Sequence, residues 1–368
     1  MTGRPGGPAG DKASAGNFFE DFALGQELRH ATPRTLTEGD AALYIGLTGS
    51  RFPLPCSAEA ARAAGFPATP LDDLLVFNTV FGKTVADISR NAVANLGYAE
   101  GRFLAPVYAG DTLSAHSVVI GLRETSNRKS GVVWVRTTGR NQRGEAVLEY
   151  VRWVMVRKRD DAAPAPEPVV PDLAPAVAPQ ALHVPADFDP AGYDRAASGS
   201  DHLWNDYVPG ERIDHGEGGT VEEAEHMLAT RLYQNNARPH FDLHAAQATR
   251  FGRRLVYGGH VMALARALSF NGLANAFAIA AINGGTHANP VFAGDTIYAW
   301  SEVLERIDPP DHDSDHKGVG ALRLRTVALK DRPAADFVYK DGMGKDGGGK
   351  YDPAVVLDLD YTVLMPRR

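Results

Sequence analysis

The chain has 368 residues, a length that exceeds one small core and suits two domains of roughly 150 residues each. With 44% hydrophobic residues, 23% charged residues and a formal net charge of -7, it has no global basic surface, so no nucleic-acid partner is expected. Its one cysteine, Cys56, excludes an intrachain disulfide and fits a reducing, cytoplasmic setting.

Residues 1–16, MTGRPGGPAGDKASAG, hold one Arg and one Lys without an apolar core, and read as a disordered tail rather than a signal or transit segment. The first domain is placed at 17–158. A helix-compatible stretch from Glu38 to Leu47 leads to a long helix with Ala, Leu and Phe at helical spacing. GVVWVRTTGRN and EAVLEYVRWVMVRK then alternate as strands do. Residues 159–190 are rich in Pro and Ala; proline removes backbone donors and favours extended chain, so this stretch reads as a linker.

The second domain, 191–368, repeats the order. A helix-compatible stretch from Val221 to Tyr233 precedes the longest apolar run, Val261 to Ile282. Arg266, Asn271 and Asn275 interrupt that run and would be costly in a bilayer, so it reads as a buried helix and no membrane partner is expected. GALRLRTVALKD and AVVLDLDYTVLMP close the chain as strands. A long helix followed by successive antiparallel strands predicts an α+β fold in which a sheet wraps a helix.

Two phrases expose a duplication: APVYAGDTLSAHSVV from Ala105 and NPVFAGDTIYAWSEV from Asn289. SAEAARAAGF (Ser57 to Phe66) and DLHAAQATRF (Asp242 to Phe251) pair at nearly the same offset. The chain therefore reads as two diverged copies of one domain.

In the second copy, QNNARPHFDLHAAQATRFGRRLVYGGHVM resembles the MaoC-like, R-specific enoyl-CoA hydratase family. In that family a loop with Asp, Asn-Pro, His and Asp precedes a helix, a Phe and an apolar-His-Gly turn. The resemblance implies a double hotdog, two tandem sheets each wrapped around a central helix. It puts the catalytic imidazole at His240 and the oxyanion N–H at Gly258. Asn235 stands where the family has its catalytic Asp, Ala237-Arg238 replaces Asn-Pro, and Tyr257 replaces the His before the glycine. The corresponding first-copy positions are Ser50, Pro55 and Asp73, so that copy reads as catalytically silent. The opening FFEDFALGQELRHATPRTLTEGDAALYIGLTGSRF, the QNNARPHFDLH loop and INGGTHANPVFAGDT together resemble mesaconyl-CoA hydratases within that family.

The resemblance implies reversible hydration of an α,β-unsaturated thioester, mesaconyl-CoA, to β-methylmalyl-CoA. Such chemistry needs a group to deprotonate water, a donor for the enolate oxygen and a proton for the α-carbon. An imidazole changes charge near neutrality, so proton shuttling is expected to fall mainly on His240, either as both base and acid or with an acid from elsewhere in the fold in the part of the missing Asp. Asn235 can orient water but not accept a proton. Gly258 offers the enolate donor, while Gly259 and His260 are expected to line the pocket, His260 alternatively serving the helix start. The substrate's free carboxylate calls for a cation or donors, with Arg238, His287 and Arg51 as candidates. Asp242 is expected to cap the following helix.

CoA arrives with the substrate, so no separate cofactor is expected. His240 with His244, and HDSDH at His312 to His316, lack further ligands at metal-binding spacing, so no metal is expected. GKDGGGK, ending at Lys350, lacks the Ser or Thr of a phosphate loop and reads as a hairpin loop. The duplicated domain can pair within one chain, and a homodimer through an exposed sheet edge or face is a further expectation. The rival readings are a broader R-specific hydratase for unsubstituted acyl chains, a non-catalytic acyl-CoA-binding protein and a hotdog thioesterase.

Overall fold

A computed structural model describes residues 12–309, 318–337 and 350–368. Most of the expected tail, the HDSDH cluster and all but the last residue of GKDGGGK lie outside the described residues.

The first half supplies strands β1 (Glu27–Arg29), β2 (Arg34–Thr35), β3 (Ala92–Phe103), β4 (Thr112–Glu124), β5 (Ser130–Arg140) and β6 (Ala146–Arg157). The second supplies β7 (Arg212–Thr220), β8 (Ala278–Thr286), β9 (Thr296–Ile307), β10 (Val319–Lys330) and β11 (Val355–Pro366). All pair antiparallel in one sheet ordered β1-β4-β5-β6-β3-β8-β11-β10-β9-β7, with β2 beside β4. The second half of this order mirrors the first, and β3 meets β8 at the centre, where Tyr98 faces Gly285 and Arg102 faces Ala281.

Each half of the sheet packs on a helix. In the first half, α1 (Glu38–Thr48), α2 (Pro53–Cys56) and α3 (Ala58–Ala63) precede the long α4 (Asp73–Thr84). Every α4 residue from Leu74 to Thr84 is buried, because the sheet covers one side and the second half covers the other. The second half repeats this with α5 (Glu223–Leu232), α6 (Arg238–Phe241), α7 (Leu243–Gln247) and α8 (Gly258–Leu268). One apolar core runs through both halves, joining Phe77, Phe81 and Tyr98 to Tyr257, Val261 and Leu357. This is the α+β double hotdog expected from the sequence.

The duplication extends to single contacts. His30 Nε2 bonds Ser117 Oγ at 2.7 Å, and Ser117 bonds Thr137. His215 Nε2 bonds Ser301 Oγ at 2.8 Å, and Ser301 bonds Thr326. Asp111 and Asp295, from the two recurring AGDT phrases, each accept the backbone N–H three residues before them.

Two sequence readings change. The run Val261 to Ile282 is not one helix: α8 stops at Leu268, Asn271 has ψ 104° and Gly272 sits at φ 102°, and after the short α9 (Phe270–Leu273) the chain enters β8. Glycine reaches that positive φ without a Cβ clash, so the helix turns into the central strand there. The Pro/Ala-rich stretch does more than connect. Val169 exchanges two backbone hydrogen bonds with Leu122, and Val177, Leu182, Val184 and Phe188 are buried, Phe188 stacking on Phe277 at 4.0 Å. Among the described residues, no helix is long and apolar enough to cross a membrane.

Candidate active site

The loop between α5 and α6 begins with Gln234 at φ 55° and continues into buried Asn235, whose Oδ1 accepts the Ala237 N–H at 3.1 Å. That side-chain turn starts α6, where Pro239 lies in the first turn and loses no intrahelical bond. His240 ends up half-buried and doubly fixed. The Leu255 N–H donates to the Pro239 carbonyl at 2.9 Å, and His240 Nδ1 donates to the Leu255 carbonyl at 3.0 Å. With the proton on Nδ1, Nε2 presents its lone pair. The ring lies 5.7 Å from that of Tyr257.

Asp242 caps α7 as expected, accepting the Ala245 N–H at 3.0 Å. Beyond it, the chain returns to Tyr257 and enters α8 at Gly258. As the first residue of the helix, Gly258 has an N–H with no intrahelical acceptor, and the helix dipole favours negative charge there. His287, just past β8, lies on Gly258 so closely that a Cβ there would come within 2.5 Å of its Cε1. Across the β3–β8 seam, Tyr98 Oη lies 3.1 Å from His287 Nε2.

Electrostatics keep these imidazoles neutral. Burial holds His240 below the ordinary imidazole value, the Leu255 carbonyl opposes that, and His226 adds to it. Burial, helped by nearby His240, pushes His287 down to about 4. Tyr98 is raised by burial and keeps its proton. Tyr98 is therefore the donor to His287 Nε2, which leaves the His287 proton on Nδ1.

The structure thus brings His240, Gly258 and His287 together, with Asn235 at the root of the same loop. Gly259 abuts the first half: Asn78 of α4 donates to its carbonyl at 3.1 Å, and a Cβ there would strike the Asn78 Oδ1. His260 is buried, its Nδ1 without a hydrogen-bond partner, and burial lowers it to about 4. Arg238 is exposed and lines, with Arg90 and Arg157, a cleft of about 550 Å³. Arg51 does not join the group. It is exposed, pairs with Glu217 at 2.7 Å and lies over the Phe270 ring.

The first half's equivalent of this site is a cleft lined by Pro55, Asp72, Asp73 and Ile279. Where α8 opens on Gly258, α4 opens on Asp73, whose Oδ2 accepts the Ile279 N–H at 2.6 Å. That carboxyl group is taken up by β8, while the helix start itself is capped by Asp72, whose Oδ1 accepts the Leu74 N–H at 2.9 Å. Sequence reasoning missed the first half's contributions to this candidate site, Asn78, Phe81 and Tyr98. They carry no motif, and only the strand seam and helix packing bring them there. Among the described residues, no group of three or more His, Cys, Asp or Glu could hold a metal ion.

Comparison with known proteins yields consistent relatives. The profile of the mesaconyl-CoA hydratase family matches residues 9–341. The chain is 62% identical over 357 residues to a β-methylmalyl-CoA dehydratase of Chloroflexus aurantiacus, covering 97% of this chain and 99% of the relative. It is 59% identical over 356 residues to a mesaconyl-CoA hydratase of Cereibacter sphaeroides, covering 97% and 100%. Among solved structures, a MaoC domain protein dehydratase of Chloroflexus aurantiacus superposes with a TM-score of 0.92 at 62% identity, covering 97% and 99% of the two chains. A Mycobacterium tuberculosis protein described as a double hotdog gives 0.76 at 26% identity, covering 96% and 99%.

Proposed function

The chain belongs to the mesaconyl-CoA hydratase family, and on that premise we propose that it is a hydro-lyase adding water reversibly to mesaconyl-CoA to form β-methylmalyl-CoA. The observation that carries the choice of base is the bond from His240 Nδ1–H to the Leu255 carbonyl, which fixes the tautomer and aims Nε2 outward.

Water at Nε2, oriented by the Asn235 Nδ2–H, gives its proton to His240 while its oxygen bonds to the β-carbon. The double-bond electrons move toward the thioester carbonyl, and the enolate oxygen meets the Gly258 N–H at the positive end of α8. His287 Nδ1–H is the second donor. An oriented donor of this kind contributes roughly 3 kcal/mol in the transition state. The imidazolium then returns its proton to the α-carbon, so nothing is oxidised or reduced and no separate cofactor takes part. Gly259 and His260 support the helix start, and the guanidinium-lined cleft at Arg238, Arg90 and Arg157 suits the phosphates of CoA.

The test is the loss of enoyl-thioester absorbance with mesaconyl-CoA, wild type beside His240→Gln. The variant should lose about 10³-fold in kcat while still binding substrate. If the variant keeps more than about a tenth of the wild-type rate, His240 is not the base. Wild type that binds but never turns over mesaconyl-CoA would instead establish the non-catalytic binding protein.

A further inference from the structure

Arg152, on β6 of the half without the catalytic imidazole, is fully buried. Its Nη1 donates to Ser89 Oγ at 2.9 Å and, more weakly, to Asn95 Oδ1 at 3.5 Å. Its Nη2 donates to Thr84 Oγ1 at 2.8 Å, and its Nε has no hydrogen-bond partner. Every one of these acceptors is neutral, and among the described residues no carboxylate forms an ion pair with this guanidinium.

Arg323 and Arg325, also shielded, are answered by acids, each gripping an aspartate with two nitrogens, Asp360 and Asp358. Buried Arg266 donates to Ser269 Oγ and the Ala276 carbonyl and has Asp72 and Asp73 close enough to feel its charge. A buried charge left without a counter-charge costs several kcal/mol. Arg152 therefore has the features of a group held ready for an anion.

Its surroundings lead to the reacting centre. The guanidinium lies 4.3 Å over the Phe81 ring, Phe81 lies 5.6 Å from Tyr257, and Tyr257 lies 5.7 Å from His240. Arg152 also stands directly opposite Tyr98 in the β3–β6 register, and Tyr98 bonds His287. Tyr98, Tyr150 and Tyr257 all interact electrostatically with it. Among the described residues, Tyr257 Oη and Arg152 Nε are buried without hydrogen-bond partners. The Arg152 Nε–H and the Tyr257 hydroxyl, both unanswered, are donors that match a carboxylate, whose two oxygens accept about four hydrogen bonds.

We propose that Arg152 binds the free carboxylate of mesaconyl-CoA and so selects this substrate over enoyl-thioesters that lack one. The proposal rests on the reading of the reaction given above. In mesaconyl-CoA the carboxylate is attached to the β-carbon that water attacks. Its negative charge opposes nucleophilic addition there, and a guanidinium on its oxygens draws that charge away. Arg152 thus supports kcat as well as binding, while the bonds made and broken remain those of simple water addition.

The experiment uses the full chain as wild type, Arg152→Met and Arg152→Lys, with crotonyl-CoA measured beside mesaconyl-CoA as substrate and as competitive inhibitor. In Arg152→Met, the ratio of kcat/KM for mesaconyl-CoA to that for crotonyl-CoA should fall at least about 100-fold, as loss of a bidentate charged contact implies. The inhibition constant of crotonyl-CoA should stay within about threefold, since that ligand has no carboxylate to lose. In Arg152→Lys, KM for mesaconyl-CoA should rise about tenfold with the preference kept, because the charge survives and the fork does not. Equal losses for both thioesters, or an unchanged KM in Arg152→Lys, overturn the proposal. If Arg152→Met does not fold by circular dichroism, the lysine variant decides alone. Wild type that hydrates crotonyl-CoA but not mesaconyl-CoA removes the underlying reaction itself, whatever the variants do.

Discussion

In the proposed reaction His240 can serve as base because Leu255, fifteen residues on, fixes its ring: the Leu255 carbonyl accepts from Nδ1 and the Leu255 N–H donates to the neighbouring Pro239 carbonyl. Burial adds a cost that shows up in pH dependence. His215 and His260 are pushed down to about 4, and His287 with them, all mainly by removal from water. Their folded values lie below the ordinary 6.5, so below that pH the unfolded chain binds more protons than the folded one. Stability is complete above pH 6.5 and is lost as pH falls toward 4, by about 1.4 kcal/mol for each such group and each unit crossed. Asp73 works the other way: burial raises it to about 7, so it favours the folded state as pH falls from 7. Three imidazoles outweigh that carboxyl. Thermal melts at pH 7, 6 and 5 should therefore show Tm falling at each step; a Tm that is constant or rises toward pH 5 contradicts this balance.

At the scale of elements, α4 shapes the loop that carries His240 although it belongs to the other half. Gly82 lies against the Tyr233 carbonyl so closely that a Cβ would sit 1.7 Å from that oxygen, just ahead of Asn235. Gly82→Ala must push the α5–α6 loop outward. The expected cost is about 2 kcal/mol in denaturant unfolding together with at least a tenfold fall in kcat. Gly46, in α1, has nothing within 4 Å of its Cβ position, so Gly46→Ala should stabilise by about 0.5–1 kcal/mol and leave turnover intact. Similar effects at the two positions would show that helix propensity, not the close approach, governs α4. The elements themselves were largely legible: β5, β6, β10 and β11 follow their alternating segments closely, and the Asp242 cap is where its side chain predicted. The apolar run after Gly259 misled because apolar character continues through a turn and into a central strand. A strand buried on both faces has no alternation to distinguish it from helix.

At the scale of the whole molecule, the β3–β8 seam makes one sheet of two copies and places Tyr98 beside His287. The second half therefore has the imidazole and the helix start but lacks its wall. Residues 191–368 produced alone should give no hydration of mesaconyl-CoA. They should also self-associate in light scattering, because β8 loses its partner and the apolar face against α4 is uncovered. A monomeric, active fragment would show that the first copy is dispensable.

The sequence by itself determined the duplication, the α+β class, the loop carrying His240 and the glycine start of α8. The first two are written in repeated phrases and periodicity, and the last two in the resemblance of one stretch of chain to a known family. Only the tertiary structure decided which distant groups face that loop. Tyr98 reaches His287, 189 residues away in sequence, across the β3–β8 pairing, Asn78 reaches Gly259 through helix packing, and Arg152 lies buried with no ion-paired acid among the described residues. Arg51, which composition made an equal candidate, is held at the surface by Glu217. Charge and residue type are visible in a sequence, but whether a cation is buried, paired or left waiting depends on which surfaces the fold brings together.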